Sequence, residues 1–167
     1  MLLPNELQAA DGAWLDLLVR RHVFALALGS GVLRDAPLAA ALLCDWFAVV
    51  EGGTLLLEGA EVAGGLAARM GAEAYRLHLL EAGALPAARA VALGLADALV
   101  PATANPLEWI SEWRGARSDR AMQSAAMLLR NRGGDALERA EFARLFASGE
   151  PQIGLRAFLG KRVPQFE

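Results

Sequence analysis

The sequence predicts an α/β protein in which strands alternate with helices up to about residue 100 and helices follow alone. Three observations support this class. Residues 23–28 form an uninterrupted apolar run closed by Gly29-Ser30-Gly31, which suits a strand buried on both faces. Residues 46–50 are aromatic and β-branched, which favours a second strand. From residue 61 onward the pattern is mostly helical, so a helical region is expected beside a layered core.

Composition excludes several classes of protein. The chain has 167 residues, 55% of them hydrophobic and 21% charged, which excludes an intrinsically disordered protein. A net charge of −3 argues against a nucleic-acid-binding protein, which would carry a basic stripe. The single cysteine, Cys44, excludes an internal disulfide framework and a thiolate zinc cluster. The histidines His22 and His78 are isolated, and no metal site is predicted.

No membrane association is expected either. The most apolar region, residues 23–57, is interrupted by charged residues, whereas a membrane-spanning helix needs about 20 apolar residues. The first six residues lack a basic start followed by an apolar stretch, so no signal peptide is predicted. We therefore expect a cytoplasmic protein.

The elements of the predicted core follow from local signals. Asp11–Arg21 is predicted as a helix with a cationic last turn. Asp35-Ala36-Pro37 predicts the start of a second helix with Asp35 as its cap, and residues 38–44 are apolar nearly all round, which predicts burial. A turn at residues 51–53 precedes a short strand at residues 54–57.

The remaining segments are predicted mainly as helices. Gly71, Gly83 and Gly94 each mark a helix end. The expected helices cover residues 61–70, 72–82, 86–93, 106–116, 118–130, 135–147 and 151–159, with a short extended piece at residues 98–101. We divide the chain into an α/β core of residues 1–101 and a C-terminal helical region of residues 102–167.

Several stretches match one known family in the right order. Residues 87–101 read AARAVALGLADALVP, after LLEAG at residues 79–83, and residues 152–166 read QIGLRAFLGKRVPQF. Upstream, residues 23–29 match a family strand, and Cys44-Asp45 ends the following helix as in the family. The chain therefore resembles the enoyl-CoA hydratase/isomerase (crotonase) family over residues 12–167. The family's N-terminal half is not matched, so the resemblance implies a short, divergent member with a truncated spiral core of ββα type.

The resemblance also implies where a catalytic site would lie. The family stabilises a thioester enolate with two backbone N–H groups, one from a glycine that falls near Ala36 when counted back from Cys44. An acid/base glutamate of the family falls on Ala39, whose methyl group moves no proton. The second family carboxylate falls at Gly59, flanked by Glu58 and Glu61. Ala36 is thus the candidate oxyanion-hole residue, and Glu58 and Glu61 are the candidate catalytic carboxylates.

Each of these candidates has a structural alternative. The alternative for Glu58 is a solvated loop carboxylate, and the alternative for Glu61 is a charge at a helix N-terminus, where the helix dipole favours it. Arg34 and Asp35 either replace lost polar groups at the mouth of the site or belong to the start of a helix, with Asp35 as its cap. Phe158 and Lys161 match family positions near the CoA nucleotide, and their alternative is a packing and surface pair.

Two functions remain open. One is an enzyme, a lyase or isomerase, that acts on or binds an acyl-CoA or acyl-carrier thioester, with no cofactor besides the CoA of the substrate. The other is a catalytically silent subunit that oligomerises with, or docks on, an active paralogue. The resemblance implies a trimer or hexamer in either case. A third interpretation is a fragment of a longer reading frame.

Overall fold

The computed structural model describes residues 18, 20–21, 23–57, 69–72, 75–76, 83–115, 117–131 and 134–166. The chain forms two compact units. The first comprises Met1–Arg21 and Ala25–Pro106, and the second comprises His22–Phe24 and Leu107–Glu167.

In the first unit, the described residues include two small sheets and two helices that are described along their full length. These elements in chain order are β1 (Leu26–Gly29), β2 (Val32–Leu33), α1 (Asp35–Leu43), β3 (Trp46–Val50), β4 (Thr54–Leu56), β5 (Ala84–Pro86), α2 (Ala87–Ala92) and β6 (Ala98–Val100). One sheet has the order β1-β3-β6 and the other the order β2-β4-β5. Short sheets joined by helices confirm the predicted α/β class.

The sheet of β1, β3 and β6 is entirely parallel. Leu26 pairs with Trp46 on one side of β3, and Ala48 pairs with Ala98 on the other. In the second sheet β2 runs parallel to β4, whereas β5 runs antiparallel to it. The parallel strands are covered by helices, which is why β1 and β3 are apolar without alternation.

Helix α1 lies inside the first unit. Residues 36–42 of this helix are all buried, as the absence of a polar face predicted. Leu38 and Phe47 are fully buried and anchor the core cluster, which also contains Ala39 and Cys44. Cys44, which is 4% exposed, is thus a small buried residue of the core.

The expected strand at residues 23–28 is partly wrong. The strand is Leu26–Gly29, and Val23 and Phe24 belong to the second unit instead. There the Phe24 ring stacks on Trp113, with 6.4 Å between ring centroids. The apolar run is continuous in sequence, but its first residues do not join the strand, because Phe24 packs on Trp113, which is distant in sequence.

The other boundaries in this unit need smaller corrections. Strands β2 and β5 were not predicted, because two or three residues are too few to show alternation. Pro86 ends β5 and precedes α2, so that helix starts one residue later than expected. The helices expected at residues 11–21, 61–70 and 72–82 lie mostly outside the described residues.

The described part of the second unit contains four helices. They are α3 (Pro106–Gly115), α4 (Asp119–Asn131), α5 (Asp135–Ala147) and α6 (Glu150–Leu159). The predicted bounds of α5 are confirmed at both ends. Across the described residues, we find no helix with the length and apolar character needed to cross a bilayer.

Candidate functional site

The N-terminus of α1 is the candidate site in the first unit. The backbone enters it through an extended Arg34 and a left-handed Asp35 with φ of 47°. Asp35 is the first helical residue, and the capping position, Arg34, makes no side-chain cap hydrogen bond. The expectation that Asp35 caps the helix is therefore wrong. Its carboxylate instead forms an exposed 3.5 Å ion pair with Arg34.

Ala36 presents a backbone amide at this end of the helix. The first N–H groups of an α-helix have no acceptor within the helix, and they point out along its axis. Leu38 is the first residue whose N–H closes the helical ladder, onto the Arg34 carbonyl at 3.3 Å, and Pro37 has no N–H to offer. The Ala36 side chain is buried, but the helix end next to it carries the exposed residues Arg34 and Asp35.

Ala39 lies one turn further along α1 and faces the core. It is 3% exposed and belongs to the same cluster as Leu38 and Phe47. The position expected to match a family glutamate therefore contributes only packing. The other candidate carboxylates, Glu58 and Glu61, lie outside the described residues, as do His22 and His78.

The opposite end of α1 carries charged groups that sequence reasoning did not connect. Arg21 pairs with Asp45, and Arg69 pairs with Asp97, with closest N–O distances of 2.8 and 3.0 Å. Partners more than 20 residues apart leave no local signal in a sequence. The neighbouring Cys44 thiol is buried, and desolvation raises its pKa, which keeps it protonated and unreactive.

Phe158 and Lys161 lie at the end of α6 in the second unit. Phe158 is 78% exposed, and Lys161 is also exposed. Lys161 follows Gly160 with a left-handed φ of 49°, and its N–H donates to the Phe158 carbonyl at 3.1 Å. The two predicted residues are thus brought together at one helix terminus, with both side chains accessible to solvent.

A groove of about 490 Å³ runs between α4 and α5. Its polar wall is a network in which Ser124 donates to Glu141 at 2.9 Å and Arg144 donates to Ser124 at 2.7 Å. Hydrogen bonds from Arg144 and then from Ser124 hold the pKa of the Glu141 carboxyl below its ordinary value. Phe142, which lines the groove, stacks on Phe146 and is 67% exposed.

Comparison with solved structures identifies the fold. The structure superposes on an enoyl-CoA hydratase from Polaromonas sp. JS666 with a TM-score of 0.74 at 22% identity, covering 93% of this chain and 66% of that one. It matches an enoyl-CoA hydratase/isomerase family protein from Hyphomonas neptunium with a TM-score of 0.69 at 25% identity, covering 92% and 64%. This chain has the fold of the enoyl-CoA hydratase/isomerase family.

A third match extends the comparison. The structure also superposes on a subunit I form of enoyl-CoA hydratase from Geobacillus kaustophilus HTA426. The TM-score is 0.73 at 22% identity, and the match covers 97% of this chain and 72% of that one. No protein-family model matches the sequence, and no curated protein matches it. The chain spans about two thirds of the length of the first two structures. The predicted resemblance is thereby confirmed for the fold.

Proposed function

We propose that this crotonase-fold chain binds an acyl-CoA or acyl-carrier thioester, with the thioester carbonyl at the N-terminus of α1. One observation carries the proposal. The buried helix α1 begins at the position where the sequence resemblance expects an oxyanion-hole donor, and the Ala36 amide lies in its first turn.

The physical basis is the field at this helix end. Unsatisfied N–H groups and the helix dipole favour negative charge at an N-terminus. A thioester oxygen gains negative charge when its carbonyl is polarised, and a fixed donor stabilises that charge more than the neutral ground state. Because α1 is buried along its length, its amide direction is fixed before a ligand arrives.

Proton transfer needs a group that α1 does not supply. Ala39 offers no carboxylate, and positioned acids or bases contribute about 10²–10⁴ in rate. Any hydration or isomerisation therefore depends on Glu58 or Glu61, which stay candidates from the sequence. With neither in place, the chain would bind thioesters without turning them over.

As the resemblance implies, the end of α6 is a separate candidate for contacting a CoA nucleotide, often one bound by a neighbouring subunit. Lys161 supplies a point charge for a phosphate, and the exposed Phe158 ring supplies a flat apolar surface for a base. The simpler role for the pair, closing the helix terminus, is supported by the hydrogen bond between their backbones.

Thermal unfolding with acetyl-CoA and with free CoA tests binding. A ligand that binds only the folded state at 100 times its Kd stabilises by about 2.7 kcal/mol, so the melting temperature should rise. Lys161→Gln should weaken this shift, whereas Arg139→Gln, at an exposed site on α5, serves as the matched control. No shift with either ligand would contradict the proposal.

Turnover is tested separately with a panel of enoyl-CoA thioesters, by following loss of the conjugated absorbance. If Glu58 or Glu61 moves a proton, Glu58→Gln or Glu61→Gln should lower the rate about 10²-fold or more. Turnover that is indifferent to both substitutions would remove them as catalytic residues and leave thioester binding in place.

The second candidate function is a silent subunit in the cytoplasm that oligomerises with itself or with an active paralogue. Exposed apolar side chains of the second unit favour it, because large exposed patches mark interfaces. They include Phe142, Phe146, Phe158, Leu129, Leu155, Leu159 and Val163. A trimer or hexamer in light scattering that Phe142→Ser with Phe146→Ser converts to monomer would support it. A monomer without a binding partner would contradict it.

A further inference from the structure

We infer that Arg69 is a positioning residue that sets the direction of the Ala36 amide by clamping the far end of α1. This inference rests on the proposed function for its relevance to thioesters. The structural claim itself concerns only how α1 is held, and it is tested without a ligand.

Arg69 gathers the carbonyl groups that α1 leaves unpaired at its C-terminus. Its guanidinium donates to the Leu42 carbonyl at 3.1 Å and to the Cys44 carbonyl at 2.7 Å. It also donates to the Leu95 carbonyl, just before β6, at 3.2 Å. The last carbonyls of a helix need such partners. The planar fork of arginine reaches several acceptors in fixed directions, which a lysine ammonium does not.

Asp97 fixes the guanidinium against the sheet. Its Oδ2 accepts from Arg69 at 3.0 Å and from the Phe47 N–H of β3 at 2.7 Å. In return, the Asp97 N–H donates to the Phe47 carbonyl at 2.7 Å. Asp97 is thus tied to β3 through both its carboxylate and its backbone N–H, and the carboxylate holds Arg69 in one orientation.

The same arrangement recurs one strand away. Asp45 accepts from the Ala25 N–H at 2.8 Å and donates its own N–H to the Ala25 carbonyl at 2.9 Å. Its partner Arg21 donates to the Leu43 carbonyl at 2.9 Å. Three consecutive carbonyls at the end of α1, those of residues 42–44, are therefore held by two arginines, each tied to the sheet by an aspartate.

We call Arg21, Asp45, Arg69 and Asp97 the clamp. The clamp acts on α1 through geometry more than through its electric field. Two arginines face two aspartates, so its formal charge sums to zero. Helix α1 is nine residues long, roughly 13 Å, so a cluster with no net charge at one end adds little field at the other. What the clamp transmits is the axial position and rotation of a rigid, buried helix. Both quantities determine where the Ala36 N–H points.

Residual dipolar couplings of backbone amides test the inference on the ligand-free chain. They report the direction of the Ala36 N–H bond relative to the amides of β3. We expect Arg69→Lys and Asp97→Asn to turn this bond by more than about 10°, the tolerance of a preorganised site. Arg114→Lys, which alters an exposed ion pair in the second unit, is the matched control and should leave the couplings unchanged.

Asp97→Asn keeps an oxygen for the Phe47 N–H and removes the charge that holds Arg69. If Arg69→Lys fails to fold, this variant still tests whether Arg69 sets the direction of the Ala36 amide. A lower melting temperature with an unchanged Ala36 direction would overturn the inference and leave Arg69 as a stabilising residue only. If acetyl-CoA does not bind the wild-type chain, the proposed function fails, whereas the couplings still decide whether Arg69 positions the amide.

Discussion

Ala36 and Ala39 lie three residues apart on one side of α1, with exposed fractions of 5% and 3%. The backbone of the first and the side chain of the second therefore have separate roles. The Ala36 amide lies at the helix terminus, whereas the Ala39 methyl group fills the core.

The first prediction concerns a carboxylate at position 39. Ala39→Glu should lower the free energy of unfolding by about 2 kcal/mol or more at pH 7, because the core must hold a larger, unpaired charged group. Burial would raise the folded-state pKa of the new carboxyl above its unfolded value. The variant should therefore lose further stability as pH rises from about 4 through that raised pKa.

Ala39→Gln is the control for Ala39→Glu, since glutamine has similar volume and does not titrate. Urea unfolding at pH 4, 5.5 and 7 gives the comparison. A glutamate that is tolerated equally at all three pH values would show that position 39 opens to solvent, contrary to the structure.

The second prediction concerns the buried ion pair of Arg21 and Asp45, whose side chains are 7% and 8% exposed. Asp45→Ala should cost about 3–5 kcal/mol, because the Arg21 charge would stay buried without its partner. Asp119→Ala breaks an exposed pair with Arg114 and should cost about 1 kcal/mol or less. Equal losses in urea unfolding would contradict the assigned burial.

The third prediction concerns Gly29 at the end of β1. A Cβ built there overlaps the buried Leu33 side chain and lies 3.1 Å from the buried Phe47 ring. Gly29→Ala should therefore destabilise the fold by about 1–3 kcal/mol. Gly83→Ala is the matched control, because no atom lies within 4 Å of its added Cβ. Calorimetry that ranks the two variants in the opposite order would disprove this packing.

The fourth prediction concerns the pKa of Glu141. Arg144→Met should raise this pKa more than Ser124→Ala does, because the Arg144 hydrogen bond is the larger of the two effects. A lowered folded-state pKa adds stability at neutral pH that is lost as pH falls below about 4. Both variants should thus show a shallower loss of stability in acid. Titration of the Glu141 carboxyl followed by carbon-13 NMR measures the pKa in each variant. A larger pKa increase in Ser124→Ala than in Arg144→Met would contradict the prediction.

Local sequence patterns correctly predicted those helices and strands whose own residues carry the whole pattern. Strand β3 and helix α5 have the predicted bounds, because aromatic and β-branched content marks the first and a helix start at Asp135 marks the second. The Asp35-Ala36-Pro37 sequence likewise predicted the start of α1. Elements of two or three residues, such as β2, carry too little pattern to be seen.

The features that sequence reasoning missed depend on distant partners. Phe24 leaves its apolar run because Trp113, far along the chain, stacks on it. Asp97 is 28 residues from Arg69, and no local spacing links them. Asp35 was expected to cap α1, but its backbone takes a left-handed conformation that only the surrounding fold dictates.

The most direct test of the central claim follows the Ala36 amide by NMR while a thioester is added. With acetyl-CoA, the Ala36 proton should move downfield as its N–H donates to the thioester oxygen. With free CoA, which has no carbonyl at that end, the same proton should stay in place. Binding of acetyl-CoA that leaves the Ala36 amide unchanged would contradict the assignment of the thioester to the N-terminus of α1.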